Sequence, residues 1–137
     1  DVDAVIANCR AYIKGVQESG MAACCKHFPG DGVEELDQHL VMGVNTFSCE
    51  EWDATFGKVY KTMIDDGIRS IMAGHIALPA YSRKLRPGIK DEEIMPATLA
   101  PEILTGLLRG QLGYNGLILT DASHSDRCRL RHVPLLQ

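Results

Sequence analysis

Five side chains that can do chemistry lie within fourteen residues of one another: Lys26, His27, Asp31, Asp37 and His39. A proline and two glycines interrupt this segment, which predicts a loop instead of one regular helix or strand. The loop follows an apolar run that predicts a buried strand. Ionisable groups at the end of a buried strand carry a desolvation cost, which folds tolerate chiefly where the groups act in chemistry. We therefore predict an active-site loop.

Three short apolar segments predict the strands that would position this loop: 21–27, 69–76 and 116–121. Amphipathic helices separate them, predicted at 2–19, behind a capping box that begins at Ser48, and behind Pro101. Strands that are apolar on both faces and alternate with helices are typical of a parallel sheet built from βα units. The Pro- and Gly-rich stretch at 78–96 predicts a long loop.

Polar groups stand at the carboxyl ends of all three predicted strands: His27, His75 and Asp121. The carboxyl ends of the strands are also where the catalytic groups of a TIM barrel lie. Asp121 precedes small residues, which leave room for a ligand, although an aspartate at this kind of junction can also cap the following helix. The pattern of elements favours parallel α/β structure and does not by itself choose between a barrel and an open sheet.

The composition is typical of a globular domain: 137 residues, 45% hydrophobic and 23% charged. A formal charge of -4 and the absence of a basic stripe argue against a nucleic-acid partner. The sequence has no apolar run of about 20 residues that would span a membrane, and its start lacks the features of a signal peptide. Five scattered cysteines without CxxC spacing favour buried thiols in a reducing, cytoplasmic compartment, and no metal site is expected.

Three motifs in order give the sequence a family resemblance. They are Lys26-His27-Phe28-Pro29-Gly30 with Asp37-x-His39, then Ile71-Met72-Ala73-Gly74-His75-Ile76, then the stretch from Pro96-Ala97-Thr98-Leu99 to Asp121. Together they resemble the family 3 glycoside hydrolases, and within them the bacterial β-N-acetylglucosaminidase branch. The resemblance implies a partial TIM (β/α)8 barrel with about three βα units. It also implies that residues 1–124 are a fragment of the catalytic barrel and that 125–137 form an atypical tail outside the fold.

The resemblance implies roles for individual residues in a retaining hydrolase that removes terminal β-N-acetylglucosamine. Asp121 would be the nucleophile that forms a covalent glycosyl-enzyme intermediate. His39 would be the general acid/base, oriented by Asp37. Lys26 and His27 would contact the sugar. No cofactor is implied.

Two positions leave the resemblance open. His75 matches a family histidine near the site, where substrate contact and structural support are both compatible with the sequence. Asp31 stands where the branch more often has a second histidine, which puts the hydrogen bonding of the loop, and with it the substrate preference, in question.

Two alternatives remain open at this point. One is a family 3 enzyme with another sugar preference, of the β-glucosidase type, although the pair Asp37 and His39 argues against it. The other is a truncated product that is not catalytic, because a few strands cannot close a barrel of about eight. The expected partner is a saccharide with a terminal β-linked N-acetylglucosamine. Unpaired sheet edges also predict self-association and little activity of the chain alone.

Overall fold

The computed structural model describes residues 1–33 and 42–122. Asp37, His39 and the predicted tail at 125–137 lie outside the described residues. The strands are β1 Cys24–Phe28, β2 Gly43–Val44, β3 Ser70–Ala73, β4 Ile76–Ala77 and β5 Leu117–Thr120. The helices are α1 Val2–Glu18, α2 Cys49–Trp52, α3 Lys58–Asp65, α4 Pro79–Leu85, the π-helical turn Asp53–Gly57, the π-helix Glu102–Gln111, and the short 3-10 helices Asp91–Glu93 and Ala97–Leu99. In these two described ranges, no helix is long and apolar enough to cross a membrane.

The main sheet has three parallel strands in the order β1-β3-β5. Cys25, Ile71 and Ile118 lie side by side across it. Two further strands, β2 and β4, form a separate two-stranded parallel sheet. Each step from one main strand to the next passes through helical segments, as the sequence predicts, so the fold is α/β with parallel strands and corresponds to part of a TIM barrel.

The helices cover one face of this sheet. The row formed by Cys25, Ile71 and Ile118 packs into a hydrophobic core with helix residues such as Met63 and Leu107. Neighbouring strand residues point to the opposite face, and there Leu117 is 61% exposed. The sequence predicted strands that are buried on both faces, and for β5 this is wrong, because within the described residues helices cover only one of its faces.

The helical segments 49–65 follow one another without a break and begin as predicted. The Ser48 side chain accepts a hydrogen bond from the Glu51 backbone N–H, and the Glu51 carboxylate accepts one from the Ser48 backbone N–H, which forms the predicted capping box. Asp53–Gly57 winds as a π-helical turn in the middle. A Cβ at Gly57 would lie 2.8 Å from the Trp52 ring, so the missing side chain gives this indole its place in the core.

The predicted long loop at 78–96 contains a helix, and here the sequence prediction is wrong. Pro79 occupies the first turn of α4, where its missing N–H costs nothing. Tyr81 and Ser82 are buried, and the seven-residue helix is too short to show a hydrophobic period in the sequence.

Candidate active site

The carboxyl ends of the three main strands are tied together by their backbones. The Gly74 N–H donates to the Phe28 carbonyl at 2.8 Å, just beyond the end of β3. The Asp121 N–H donates to the Ala73 carbonyl at 3.0 Å, just beyond the end of β5. Side chains that follow β1, β3 and β5 therefore meet at one edge of the sheet, as expected for parallel strands.

A carboxylate, an imidazole and a second carboxylate stand in line at this edge. His27 Nδ1 lies 2.9 Å from Asp31 Oδ2, and His27 Nε2 lies 3.9 Å from Asp121 Oδ2. The other Asp121 oxygen, Oδ1, accepts a hydrogen bond from the Ala122 backbone N–H at 2.8 Å. The His27 and Asp121 side chains are 24% and 25% exposed, so both are reachable from solvent while the protein fixes their directions.

His27 can approach β3 closely because residue 74 is a glycine. A Cβ on Gly74 would stand only 2.8 Å from the Cβ of His27. Beside this contact, the register between β1 and β3 shifts between Cys25 and Phe28. The shift and the missing side chain together set the position of the imidazole over the end of the sheet.

Buried side chains bind the backbone of the loop that follows His27. The Trp52 indole Nε1–H donates to the Pro29 carbonyl at 2.7 Å, and the Asn45 amide donates to the Gly30 carbonyl at 3.3 Å. Gly30 has φ +133°, and a Cβ there would lie 2.4 Å from the Phe56 ring. A residue with a side chain would meet both backbone strain and a collision at this point. The loop is thus anchored through its main chain, which leaves its polar side chains at the surface.

His75 is buried under the segment that follows β5. Its Nδ1 lies 3.0 Å from the Thr98 hydroxyl, and its Nε2 lies 3.2 Å from the Ala122 carbonyl. A carbonyl can only accept, so Nε2 carries the proton and Nδ1 accepts from Thr98. Both nitrogens contact protein groups, an arrangement that favours structural support for the Asp121 segment over sugar contact.

The other predicted site residues do not all join this cluster in the described part of the chain. Lys26, for which the family resemblance implies sugar contact, is exposed. His39 and Asp37 lie in the segment 34–41, outside the described residues.

Burial shifts the pKa of two groups near β1. Burial, with smaller contributions from Cys9 and Cys24, raises the pKa of the Cys25 thiol to about 11. Burial also raises the pKa of the Tyr60 hydroxyl well above its ordinary value, and the Tyr60 ring packs edge-on against Phe28 at 5.0 Å between ring centroids. Both groups stay neutral at physiological pH and serve as packing beneath the site.

Sequence reasoning missed several residues that shape the site. Asn45 and Thr98 were not predicted as site residues, because the groups that they contact at the site, the Gly30 carbonyl and His75, are distant in the chain. Gly74 had a signal in the motif Ala73-Gly74-His75, where the glycine directly precedes a polar strand end. Among residues 1–33 and 42–122, no group of three or more His, Cys, Asp or Glu side chains is arranged to hold a metal ion.

Comparison with known proteins gives this arrangement a context. A protein of Cellulomonas fimi described as a β-N-acetylglucosaminidase/β-glucosidase is 52% identical over 123 residues, covering 90% of this chain and 22% of that protein. A β-hexosaminidase of Methylobacillus flagellatus is 33% identical, covering 81% of this chain and 29% of that protein. A solved structure of the β-glucoside phosphorylase BglX bound to 2FGlc superimposes with a TM-score of 0.89 at 45% identity, covering 91% of this chain and 22% of that one.

The chain therefore spans less than a third of the length of these relatives. Residues 1–132 match the Glycosyl hydrolase family 3 N terminal domain. That match covers nearly the whole chain and agrees with the parallel βα units and with the polar groups gathered at the carboxyl edge of the sheet. The chain belongs to glycosyl hydrolase family 3.

Proposed function

We propose that this chain supplies the nucleophile and part of the sugar-binding surface of a retaining exo-β-N-acetylglucosaminidase, as a fragment of a longer catalytic barrel. The observation that carries the proposal is Asp121, a partly exposed carboxylate at the carboxyl edge of the sheet with His27 beside it. The relatives described as a β-N-acetylglucosaminidase/β-glucosidase and as a β-hexosaminidase support this choice of sugar.

In the proposed mechanism, Asp121 attacks the anomeric carbon while the bond to the leaving-group oxygen breaks. The Ala122 N–H on Oδ1 fixes the direction of the carboxylate. His39 protonates the leaving oxygen, and Asp37 orients its ring. The same imidazole then takes a proton from water, which attacks the anomeric carbon and releases Asp121 with net retention.

Sugar binding is assigned to groups near the nucleophile. His27 Nε2 and Asp121 Oδ2 are 3.9 Å apart, and one oxygen about 2.8 Å from each can contact both. A sugar hydroxyl is suited to that place, since it can donate its single proton to either of these two acceptors. Lys26 is proposed to reach a further sugar oxygen from the end of β1. His75 is proposed to support the segment that contains Asp121 through its contact with the Ala122 carbonyl.

The test uses the longest gene product that contains this chain, incubated with a 5-fluoro N-acetylglucosaminyl donor that slows release of the intermediate. Mass spectrometry should find the added sugar on the peptide that contains Asp121. Asp121→Asn should lose the adduct and lower kcat by at least about 10³-fold, the order seen when a covalent nucleophile is removed. Asp65→Asn, which removes an exposed carboxylate paired with Lys61 on α3, is the matched control. Labelling of another residue would refute the assignment.

A second candidate function follows from one specific observation. The structure described as a β-glucoside phosphorylase is 45% identical to this chain over the part that superimposes, which is 22% of that protein. In that case phosphate, not water, attacks the same glycosyl-enzyme, and the product is a sugar 1-phosphate. Product analysis with and without inorganic phosphate separates the two functions, and comparison of glucosides with N-acetylglucosaminides decides the sugar preference.

We also propose that the 137-residue chain alone has little activity and associates with itself. β1 and β5 are the outer strands of the three-stranded sheet, and Met21 and Leu117 near them are 59% and 61% exposed. Exposed apolar groups at sheet edges favour association. Robust turnover by a purified monomer, separated by gel filtration, would contradict both statements.

A further inference from the structure

We infer that Asp31 is a positioning residue for His27: it holds a proton on Nδ1 and so presents Nε2 to the ligand beside Asp121. The inference deepens the proposed function and rests on it for its catalytic consequence. Its geometric part concerns only the loop after β1 and stands independently of the reaction.

The contact between the two side chains is direct. Asp31 Oδ2 lies 2.9 Å from His27 Nδ1. An ionised carboxylate only accepts hydrogen bonds, so Nδ1 is the donor and carries a proton. The turn between the two residues is fixed by the Gly30 N–H, which donates to the His27 carbonyl at 2.9 Å. The pairing is therefore built into the folded loop.

The proton on Nδ1 determines what the opposite nitrogen can do. In the neutral ring, Nε2 is then an acceptor, and it is the nitrogen that faces Asp121 Oδ2 at 3.9 Å. A sugar hydroxyl at hydrogen-bond distance from Nε2 can donate to it, so this nitrogen selects a ligand that offers a hydroxyl there. With the proton on Nε2 instead, the ring would offer a donor, and the same hydroxyl would have to accept.

Neighbouring residues hold the backbone of the segment that contains His27 and Asp31. Trp52 and Asn45 anchor the Pro29 and Gly30 carbonyls, two of the three that lie between His27 and Asp31 in the chain. The absence of a side chain at Gly74 leaves the space that the His27 Cβ needs. With the backbone held in this way, the orientation of the ring about its own bonds depends on side-chain partners such as Asp31 on Nδ1.

The first test is spectroscopic and needs no activity. The longest gene product that contains this chain is labelled with ¹⁵N-histidine, and long-range ¹H–¹⁵N correlation spectra report which nitrogen of each ring is protonated. His27→Gln identifies the signals of His27. We expect Nδ1 of His27 to be protonated in the unaltered protein. A neutral ring protonated on Nε2 would overturn the inference, and this result does not require any Asp31 variant to fold.

The second test is Asp31→Asn, which preserves shape but offers an amide N–H to Nδ1. We expect the proton to move to Nε2 in His27 alone and kcat/KM for a chromogenic N-acetylglucosaminide to fall about 10- to 100-fold. Asp31→Glu, which keeps an acceptor, should restore the tautomer and part of the rate. Asp65→Asn should change neither.

The failures of the two proposals are distinguishable. If Asp121→Asn keeps full activity while Asp31→Asn still moves the proton, the catalytic assignment fails and the positioning of His27 stands. If Asp121→Asn is inactive but Asp31→Asn leaves both the tautomer and kcat/KM unchanged, the role of Asp31 is refuted.

Discussion

Gly74→Ala gives a demanding test of how the site is positioned. The new methyl group would lie 2.8 Å from the His27 Cβ, whereas ordinary contacts between such atoms begin at 3.4 Å. The two atoms must therefore separate by at least about 0.6 Å, given that well-packed groups cannot interpenetrate. The His27 Cβ is attached directly to the backbone, so the loop itself has to move, and the Ile76 side chain at 3.1 Å has to move as well.

A displacement of this size has two expected effects. Overpacking of this kind costs about 1–3 kcal/mol of stability. A shift of about 1 Å in a positioned group can cost about 100-fold in rate, so a shift of roughly half that size should lower kcat/KM by about 10-fold.

The assay measures kcat/KM with a chromogenic N-acetylglucosaminide and thermal unfolding on the same preparations of the longest gene product. Titration of the active sites with the fluorinated donor corrects the rate for any unfolded fraction. Gly15→Ala is the matched control, since no atom outside its own helix lies within 4 Å of the added methyl group, and it should stabilise by about 0.5–1 kcal/mol. If Gly74→Ala behaves like Gly15→Ala in both measurements, the close approach does not position His27.

Three further predictions concern the supports of the site. Trp52→Phe removes the buried donor to the Pro29 carbonyl and should cost about 2–4 kcal/mol in the free energy of unfolding, measured by denaturant titration. Thr98→Val removes the hydroxyl that contacts His75 and should lower stability by about 1 kcal/mol; Thr98→Ser keeps the hydroxyl and should lose less, and equal melting temperatures for the two variants would contradict this reasoning. Burial raises the pKa of Cys25 to about 11. Iodoacetamide at pH 8 should therefore alkylate the exposed Cys24 about tenfold faster than Cys25, or more. Mass spectrometry of the peptide that contains both cysteines measures the two rates.

The sequence allowed prediction of those elements whose residues repeat with a clear period or carry a cap. The apolar stripe of α1 and the capping box at Ser48 place their helices correctly, because these signals are local. α4 and the β2–β4 pair were missed. They are only seven and two residues long, and tertiary contacts, not local pattern, determine such short elements.

In the candidate site too, some features could be predicted from the sequence and others could not. The gathering of His27 and Asp121 follows from their places at the ends of parallel strands, and the sequence was enough to predict it. The contact between His27 and Asp31 depends on how the backbone turns through Pro29 and Gly30, which residue types alone do not specify. The exposure of Lys26 depends on which elements surround β1, and no pattern within β1 carries that information.

The backbone links at the edge of the sheet have a consequence for how such a protein can change over evolutionary time. Asp121 is fixed to β3 through its own N–H and the Ala73 carbonyl, and β3 is fixed to β1 through Gly74 and Phe28 in the same way. These bonds are made by atoms that nearly every residue type possesses. Substitutions in the loop around Asp31 can therefore alter which ligand groups are recognised while the carboxylate keeps its place. A lineage with this architecture can change the side chains around the proposed nucleophile one at a time, without first rebuilding the backbone that holds it.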